Sequence, residues 1–225
     1  MGELVSLGRS RNDASRGKPR RDLRAFLPTT REEMDARGWD ELDILIVSGD
    51  AYVDHPAFGP VLIARFLEAR GFKVGFIAQP RWDRPDDVLR MGAPRLFVGV
   101  SAGNLDSMLN KLTAQKKVRS DDQYSPGGQT NMRPNRASVV YANLIRGAMP
   151  GVPVVLGSKA DMLVFGMGER PIWEVARRLR EGETIAQIRD VRGTAYVLNK
   201  GEHEAIEGAE RVADRRPVIL PSYEE

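Results

Sequence analysis

Short, unbroken apolar runs alternate along this chain with longer segments whose apolar residues recur at helical spacing. Unbroken runs of strand length are typical of strands covered on both faces, as in a parallel sheet. The predicted strands are 43–48, 73–78, 95–101, 153–157 and 161–165, and the predicted helices are 59–70, 86–91, one starting after Asn104, 137–149 and 170–180. This alternation predicts a doubly wound α/β fold with helices on both faces of the sheet.

Three further segments lie outside this alternation. Residues 30–33 fit a helix capping box in which Thr30 is the N-cap and Glu33 reaches back to it. Residues 113–136 are polar and rich in Gly, Pro and charge, and loops of that length tend to be functional or disordered. An extended stretch at 194–198, followed by a turn at 199–201, predicts a small C-terminal hairpin.

The connection between the last two predicted strands is too short for parallel neighbours. Three residues separate 153–157 from 161–165, whereas a parallel pair needs a connection of about a dozen residues or more. The two runs therefore form either an antiparallel hairpin or a parallel pair from which a segment has been lost.

Positive charge is concentrated at the N-terminus. Residues 1–24 carry seven basic and three acidic side chains, whereas the whole chain has a net charge of only +3. We predict a disordered basic tail over residues 1–25, which is either simply solvated or a weak, salt-sensitive anchor for nucleic acid or acidic surfaces. Apart from this tail, nucleic acid is not an expected partner.

The chain has no cysteine, and no apolar run approaches the roughly 20 residues that a membrane-spanning helix needs. Its N-terminus lacks the continuous apolar core of a secretory signal. We therefore expect a cytoplasmic protein that has no membrane partner and cannot form a disulfide or a thiolate-held metal cluster.

Candidate ligand-binding residues follow the carboxyl ends of strands, where ligands of open α/β sheets collect. They are Asp50, Asp54 and His55 after the first strand, Ser101, Gly103 and Asn104 after the third, and Gly166, Gly168 and Glu169 after the fifth. An Asp/Asp/His group can bind a metal or act in acid–base catalysis, but such carboxylates also cap helices and accept loop hydrogen bonds. No metal site is predicted, and the catalytic residues stay unassigned.

Gly166 and Gly168 fit part of a dinucleotide-binding fingerprint, but proline stands where the third glycine belongs. The stretch is either a strand-to-helix turn or a backbone cradle for an anionic or nucleotide-like ligand. In the long polar segment, Lys116, Lys117 and Arg119 are either solvated or part of a lid that folds over a small anionic ligand.

Ten short motifs along the chain are together far more specific than any one of them. They are FLPTTR (26–31), GWDELD (38–43), GDAYVDHPAFG (49–59), IAQP (77–80), GVSAGNLDS (99–107), KKVRSDD (116–122), YSPGG (124–128), ADMLVFGMGERP (160–171), GTAYV (193–197) and LPSYE (220–224). With them the chain resembles the N-terminal domain of YgiQ-type radical SAM proteins. The resemblance implies a cobalamin-binding-like or flavodoxin-like sheet of five strands in the order 2-1-3-4-5, which in that family precedes a radical SAM barrel.

The chain departs from the family pattern in two ways. In that family a CxxxCxxC motif holds a [4Fe–4S] cluster that cleaves S-adenosylmethionine to a radical, but here the barrel and its cysteines are absent. Family members also carry a helix-length segment that is missing here at 157/158. A cobalamin-type D-x-H-x-x-G motif is absent as well, so bound cobalamin is not predicted.

The resemblance leads to one main expectation. Residues 26–182 form the α/β N-terminal domain, and 183–225 form the hairpin and a truncated linker towards the absent barrel. The domain holds no cofactor itself, is non-catalytic, and positions substrate or caps the barrel of a parent that uses the cluster and S-adenosylmethionine. The alternatives are a stand-alone α/β module that binds a nucleotide or an anion, and an inert remnant that binds no ligand.

Overall fold

The computed structural model describes residues 25–105, 107–155 and 160–197. The predictions for the basic tail, for the 157/158 junction, for the turn at 199–201 and for the linker lie outside these residues. The helices are α1 (Arg31–Asp35), α2 (Gly59–Glu68), α3 (Asp86–Leu89), α4 (Ser107–Lys111), α5 (Ala137–Ala148) and α6 (Glu169–Arg180). The strands are β1 (Ile44–Ser48), β2 (Val74–Ala78), β3 (Phe97–Ser101), β4 (Val154–Val155), β5 (Leu163–Val164) and β6 (Thr194–Ala195).

Four parallel strands form the central sheet in the order β2-β1-β3-β4. In the middle of the sheet, Ile46 of β1 lies between Phe76 of β2 and Gly99 of β3. Every residue of β1 is buried, and its sequence is unbrokenly apolar up to Ser48 because helices cover both faces. The α/β class and the mostly parallel sheet are confirmed.

The helices divide into two layers. On one face, α2 and α6 pack against Ile44 and Ile46 of β1. On the other face, α1, α3 and α5 pack against Leu45 and Val47. Alternate residues of one strand thus enter opposite cores, as the pleat of a strand requires. Among the described residues, no helix is both long enough and apolar enough to cross a membrane.

The fifth predicted strand is not a regular member of the central sheet. β5 is two residues long and pairs antiparallel with β6 in a separate two-stranded sheet. In the described part of the chain, one parallel bridge between Val155 and Met162 links it to β4. The five-stranded order is therefore not confirmed, and the small antiparallel element near the C-terminus has β5 as one of its strands.

One of the two hydrogen bonds of the predicted capping box is present at the start of α1. Thr30 Oγ1 accepts the N–H of Glu33 at 3.3 Å. The Glu33 carboxylate reaches one residue beyond the predicted partner, accepting the N–H of Thr29 at 2.7 Å and its hydroxyl at 2.9 Å. The helix is thus capped, but the predicted return bond from Glu33 to Thr30 is wrong.

Candidate functional site at the carboxyl edge of the sheet

The carboxyl ends of β1 and β3 form matching turns that lie against each other. Ser48 Oγ accepts the N–H of Asp50 and Ser101 Oγ accepts the N–H of Gly103, each at 3.1 Å. Asp50 Oδ2 accepts the N–H of Asn104 at 2.6 Å. The contact requires glycine, because a Cβ on Gly103, where φ is +111°, would lie 2.1 Å from Asp50 Oδ1. Four residues predicted from the sequence as ligand-binding candidates are thus neighbours.

Asn104 also fastens the start of α2 to this edge. Its side chain donates to the carbonyl of Ala57 at 2.9 Å and accepts the N–H of Gly59 at 3.2 Å. Gly59 is the first residue of α2, and the N-cap residue Phe58 offers no side-chain hydrogen bond. Asn104 therefore supplies the cap from another loop, satisfying one of the free N–H groups of the helix start.

A buried arginine joins this edge to the long polar segment. Arg133 Nη1 lies 3.0 Å from Asp50 Oδ1, and Arg133 Nη2 lies 3.1 Å from Asp122 Oδ1. The side chains of Arg133 and Asp50 are each 2% exposed. Arg133, Asp50 and Asp122 are called the Arg133 cluster below. A charge buried this deeply is tolerated only when it is paired and hydrogen-bonded.

The two carboxylates of the cluster have different surroundings. Burial acts to raise the pKa of Asp122, but hydrogen bonds from Asn110, Ser125 and the N–H of Tyr124, together with the charge of Arg133, bring this pKa below its usual value. Burial raises the pKa of Asp50 above its usual value, although the Asn104 N–H and Arg133 oppose this. Asp50 is therefore the carboxyl more easily protonated.

Further hydrogen bonds dock the middle of the long segment on β1 and β2. Gln79, which follows β2, donates from Nε2 to Ser125 Oγ at 2.7 Å and to the carbonyl of Tyr124 at 3.3 Å. The same carbonyl accepts the N–H of Ala51 at 2.8 Å. Asp122, Ser125 and Arg133 are buried, so this part of the segment belongs to the packed structure. Sequence reasoning missed its role because the partners lie far apart along the chain.

Buried polar atoms beside the Arg133 cluster lack hydrogen-bond partners among the described residues. They are the Tyr141 hydroxyl, Gln79 Oε1 and Arg133 Nε, together with Asp50 Oδ1 and Arg133 Nη1, which are within ion-pair distance but not aligned as a hydrogen bond. Each such atom costs about 1–3 kcal/mol if it stays unsatisfied. The arrangement suits a bound water or a small polar ligand group.

Asp54 and His55 do not join Asp50 in a common site. Asp54 accepts from Arg65 Nε at 3.2 Å and from the Tyr52 hydroxyl at 3.1 Å. The hydrogen bonds from Arg65 hold the pKa of Asp54 below its usual value. His55 is exposed, and its Nδ1 accepts the N–H of Ala57 at 3.1 Å. Across the described residues, no group of three or more His, Cys, Asp and Glu is placed to hold a metal ion.

The basic residues Lys116, Lys117 and Arg119 lie in an exposed turn closed by a bridge between Leu112 and Val118. Arg119 Nε donates to the carbonyl of Leu112 at 3.2 Å. The cavity beside this turn measures about 10 Å³, which is about the space of one water. In this conformation the turn does not enclose a cavity the size of a nucleotide or a metabolite.

The glycine stretch after β5 forms the start of α6. Gly168 is the N-cap residue and Glu169 the first helical residue, while Gly166 has φ +73°. A Cβ on Gly168 would lie 3.5 Å from Ile63 of α2 and 3.6 Å from Val164. The stretch thus serves as a strand-to-helix turn beside α2, and its role as a ligand cradle stays a prediction.

The fold is a doubly wound α/β domain whose carboxyl-edge loops are fixed by buried ion pairs. The family model described as "Radical SAM N-terminal" matches residues 26–158 and 156–225. The chain belongs to this family. No solved structure matches it.

Several curated relatives support this assignment. A UPF0313 protein of Pseudomonas putida is 52% identical over 198 residues, covering 76% of this chain and 26% of the relative. The UPF0313 protein YgiQ of Escherichia coli K12 is 49% identical over 201 residues, covering 78% of this chain and 27% of the relative. A UPF0313 protein of Methanosarcina acetivorans is 44% identical over 241 residues, covering 89% of this chain and 32% of the relative. The chain spans between a quarter and a third of the length of these relatives.

Proposed function

We propose that this chain is the N-terminal domain of a YgiQ-like radical SAM enzyme and that it docks on the catalytic domain through the carboxyl edge of its sheet. In this role it positions substrate or caps the barrel and performs no radical chemistry itself. Membership of the Radical SAM N-terminal family supports the proposal. So does the small share of each relative that the chain matches.

The observation that carries the docking role is the distribution of exposed apolar side chains. Of the twelve large hydrophobic residues exposed in the described part of the chain, eight lie between the end of a strand (β1, β2, β3 or β5) and the start of α2, α3, α5 or α6, respectively. These eight form the apolar rim: Val53, Trp82, Leu105, Leu109, Val118, Met132, Phe165 and Met167. Parallel strands end at the same edge of a sheet, and large apolar side chains exposed in the loops at such an edge suit an interaction surface.

The Arg133 cluster adds a reason why this edge suits docking. The loops after β1 and β3 and the long segment that carries Met132 are tied together by buried ion pairs and by Asn104. A surface whose loops are already fixed loses less conformational freedom when a partner binds. The rim residues on these loops are therefore presented on a rigid base.

The cluster and cofactor of the proposed parent do not fit the residues of this chain. A [4Fe–4S] cluster is held by cysteine thiolates, and the chain contains no cysteine. Its residues thus supply no ligand to such a cluster. Their contribution is to hold the rim loops in place and to present the apolar side chains.

The proposal is tested by co-expressing the full chain with the part of the Pseudomonas putida relative outside the matched segment. The two should co-purify, and Leu109→Lys or Met167→Lys should weaken binding at least tenfold, because each buries a charge in an apolar contact. Leu109 and Met167 are 68% and 87% exposed, so either change should leave the fold intact. Binding is measured by isothermal calorimetry.

Val197→Lys is the matched control, because Val197 is 83% exposed but lies outside the rim. It should bind like the unaltered chain. Failure of the unaltered chain to bind, or equal weakening by all three substitutions, would contradict the proposal. Heat from ATP or S-adenosylmethionine added to the chain alone at millimolar concentration would instead support the nucleotide-binding alternative.

A further inference from the structure

The β4 edge of the sheet, made of Val154, Val155 and residues 160–162, has an unusual connection. Val155 and Met162 form a parallel bridge, and the N–H of Asp161 donates to the carbonyl of Val154 at 2.8 Å. Six residues separate the two bridge partners. A crossover between parallel neighbours needs about 10–12 residues or more, helix included. The chain thus shows the pairing of a βαβ unit without room for its helix.

The relatives contain residues that this chain lacks. The alignment with the Methanosarcina acetivorans protein has 241 positions, more than the 225 residues of the whole chain. The Pseudomonas putida alignment has 198 positions, although 76% of this chain is about 171 residues, which leaves about 27 residues of the relative unmatched. That is the length of a helix with two short connections. The family model is likewise matched in two segments, which meet at residues 156–158.

The handedness of parallel crossovers indicates on which face of the sheet a helix between β4 and the Met162 strand would lie. The step from β3 to β4 moves outward in the sheet, with α5 on the face of Leu45 and Val47. A step onward from β4 to the Met162 strand continues in the same direction. Since such connections are right-handed in about 98% of cases, its helix belongs on the same face, beside α5.

A cleft lies at the β4 edge of the sheet, between the end of α5 and the turn that follows α6. Its volume is about 340 Å³, and it is lined by Arg146, Ala160, Asp161, Ile185, Ala186, Arg189 and Val197. Arg146 comes from the last turn of α5, and Ala160 packs against the core on the α5 face. The opposite wall is the turn that follows α6. This cleft is called the crossover cleft below.

We infer that the crossover cleft is the open seat of the absent crossover helix and that it binds an amphipathic helix supplied as a separate molecule. The apolar face of that helix covers Ala160, Ile185 and Val197. Acidic residues at its margin complement the net positive charge of the lining, in which Arg146 pairs with Asp161 and Arg189 lies over the ring of Tyr196. The inference does not depend on the docking role proposed above.

The test uses the full chain and a fluorescein-labelled peptide with the residues that the Pseudomonas putida relative carries between the positions matching residues 157 and 158. Fluorescence anisotropy should show saturable binding, and a scrambled peptide of the same composition should not bind. Ala186→Trp, which fills the cleft, and Val197→Lys should each weaken binding at least tenfold. Leu89→Lys, on α3 and outside both the apolar rim and the cleft, should leave peptide binding unchanged.

A chimera provides an independent measurement. Inserting the same residues at 157/158 should raise the melting temperature and abolish binding of the labelled peptide, since the seat is then filled from within the chain. An unchanged melting temperature together with no peptide binding at 1 mM would overturn the inference. So would a dimer in sedimentation experiments that Val197→Lys converts to monomer, because a second copy would then occupy the cleft.

Discussion

The Arg133 cluster and the β4 edge show what complete and shortened connections do to the same sheet. At β1 and β3 the strands are five residues long, and their loops bury an arginine between two aspartates. At the β4 edge the strand has two residues, one parallel bridge joins it to its neighbour among the described residues, and the ion pair of Arg146 with Asp161 is exposed. A parallel sheet is therefore regular only where its connections are long enough to let strands lie side by side.

The largest expected effect comes from removing the buried cation. Arg133→Met leaves Asp50 and Asp122 without their counter-ion, and breaking a buried pair in this way costs about 3–5 kcal/mol. Arg146→Met, at the β4 edge, removes an exposed pair and should cost about 0–1 kcal/mol. The free energy of unfolding is measured by urea denaturation. Similar losses for both variants would show that the two regions do not differ as described.

A smaller effect is expected at the glycine turn beside Asp50. Gly103→Ala combines an unfavourable φ of +111° with a Cβ placed 2.1 Å from Asp50 Oδ1, and should cost about 2–3 kcal/mol. The control is Gly166→Ala after β5, where φ is +73° and no atom lies within 4 Å of the added Cβ. This substitution should lower the stability by about 1–2 kcal/mol, because only the left-handed backbone conformation is unfavourable there. Thermal unfolding of both variants provides the measurement. Equal losses of stability would argue against the close contact between Gly103 and Asp50.

The smallest effect is a pH dependence at Asp54. Because Arg65 lowers the folded-state pKa of Asp54, the stability from this carboxylate is present above its unfolded-state pKa and is lost as the pH falls through the folded-state pKa. Asp54→Asn should therefore destabilise the chain by about 1 kcal/mol at pH 7. The difference from the unaltered chain should shrink between pH 5 and pH 2.

Arg65→Met provides the matched variant for this prediction. It should show the same loss of pH dependence, because the carboxylate then lacks its main partner. Melting temperatures across this pH range provide the measurement. A difference between Asp54→Asn and the unaltered chain that stays constant with pH would contradict the role given to Arg65.

The candidate site was only partly predictable. Asp50, Ser101, Gly103 and Asn104 were expected at one edge because carboxyl ends of parallel strands meet there, and the structure brings them together. The sequence does not predict the burial of Arg133 between Asp50 and Asp122, because this burial depends on carboxylates that are distant in the sequence. The ligand-binding role of these residues stays a prediction.

Local pattern was sufficient to determine the α/β class, the first four strands and the start of α1, because burial on two faces and capping leave a signature within a few residues. The same pattern showed that the connection after residue 157 is too short. Tertiary structure alone decided that Asp54 pairs with Arg65, that the long polar segment is buried at Asp122 and Arg133, and that β5 pairs with β6. Those outcomes depend on which distant groups the packed sheet brings within hydrogen-bonding distance, and no local sequence pattern records that.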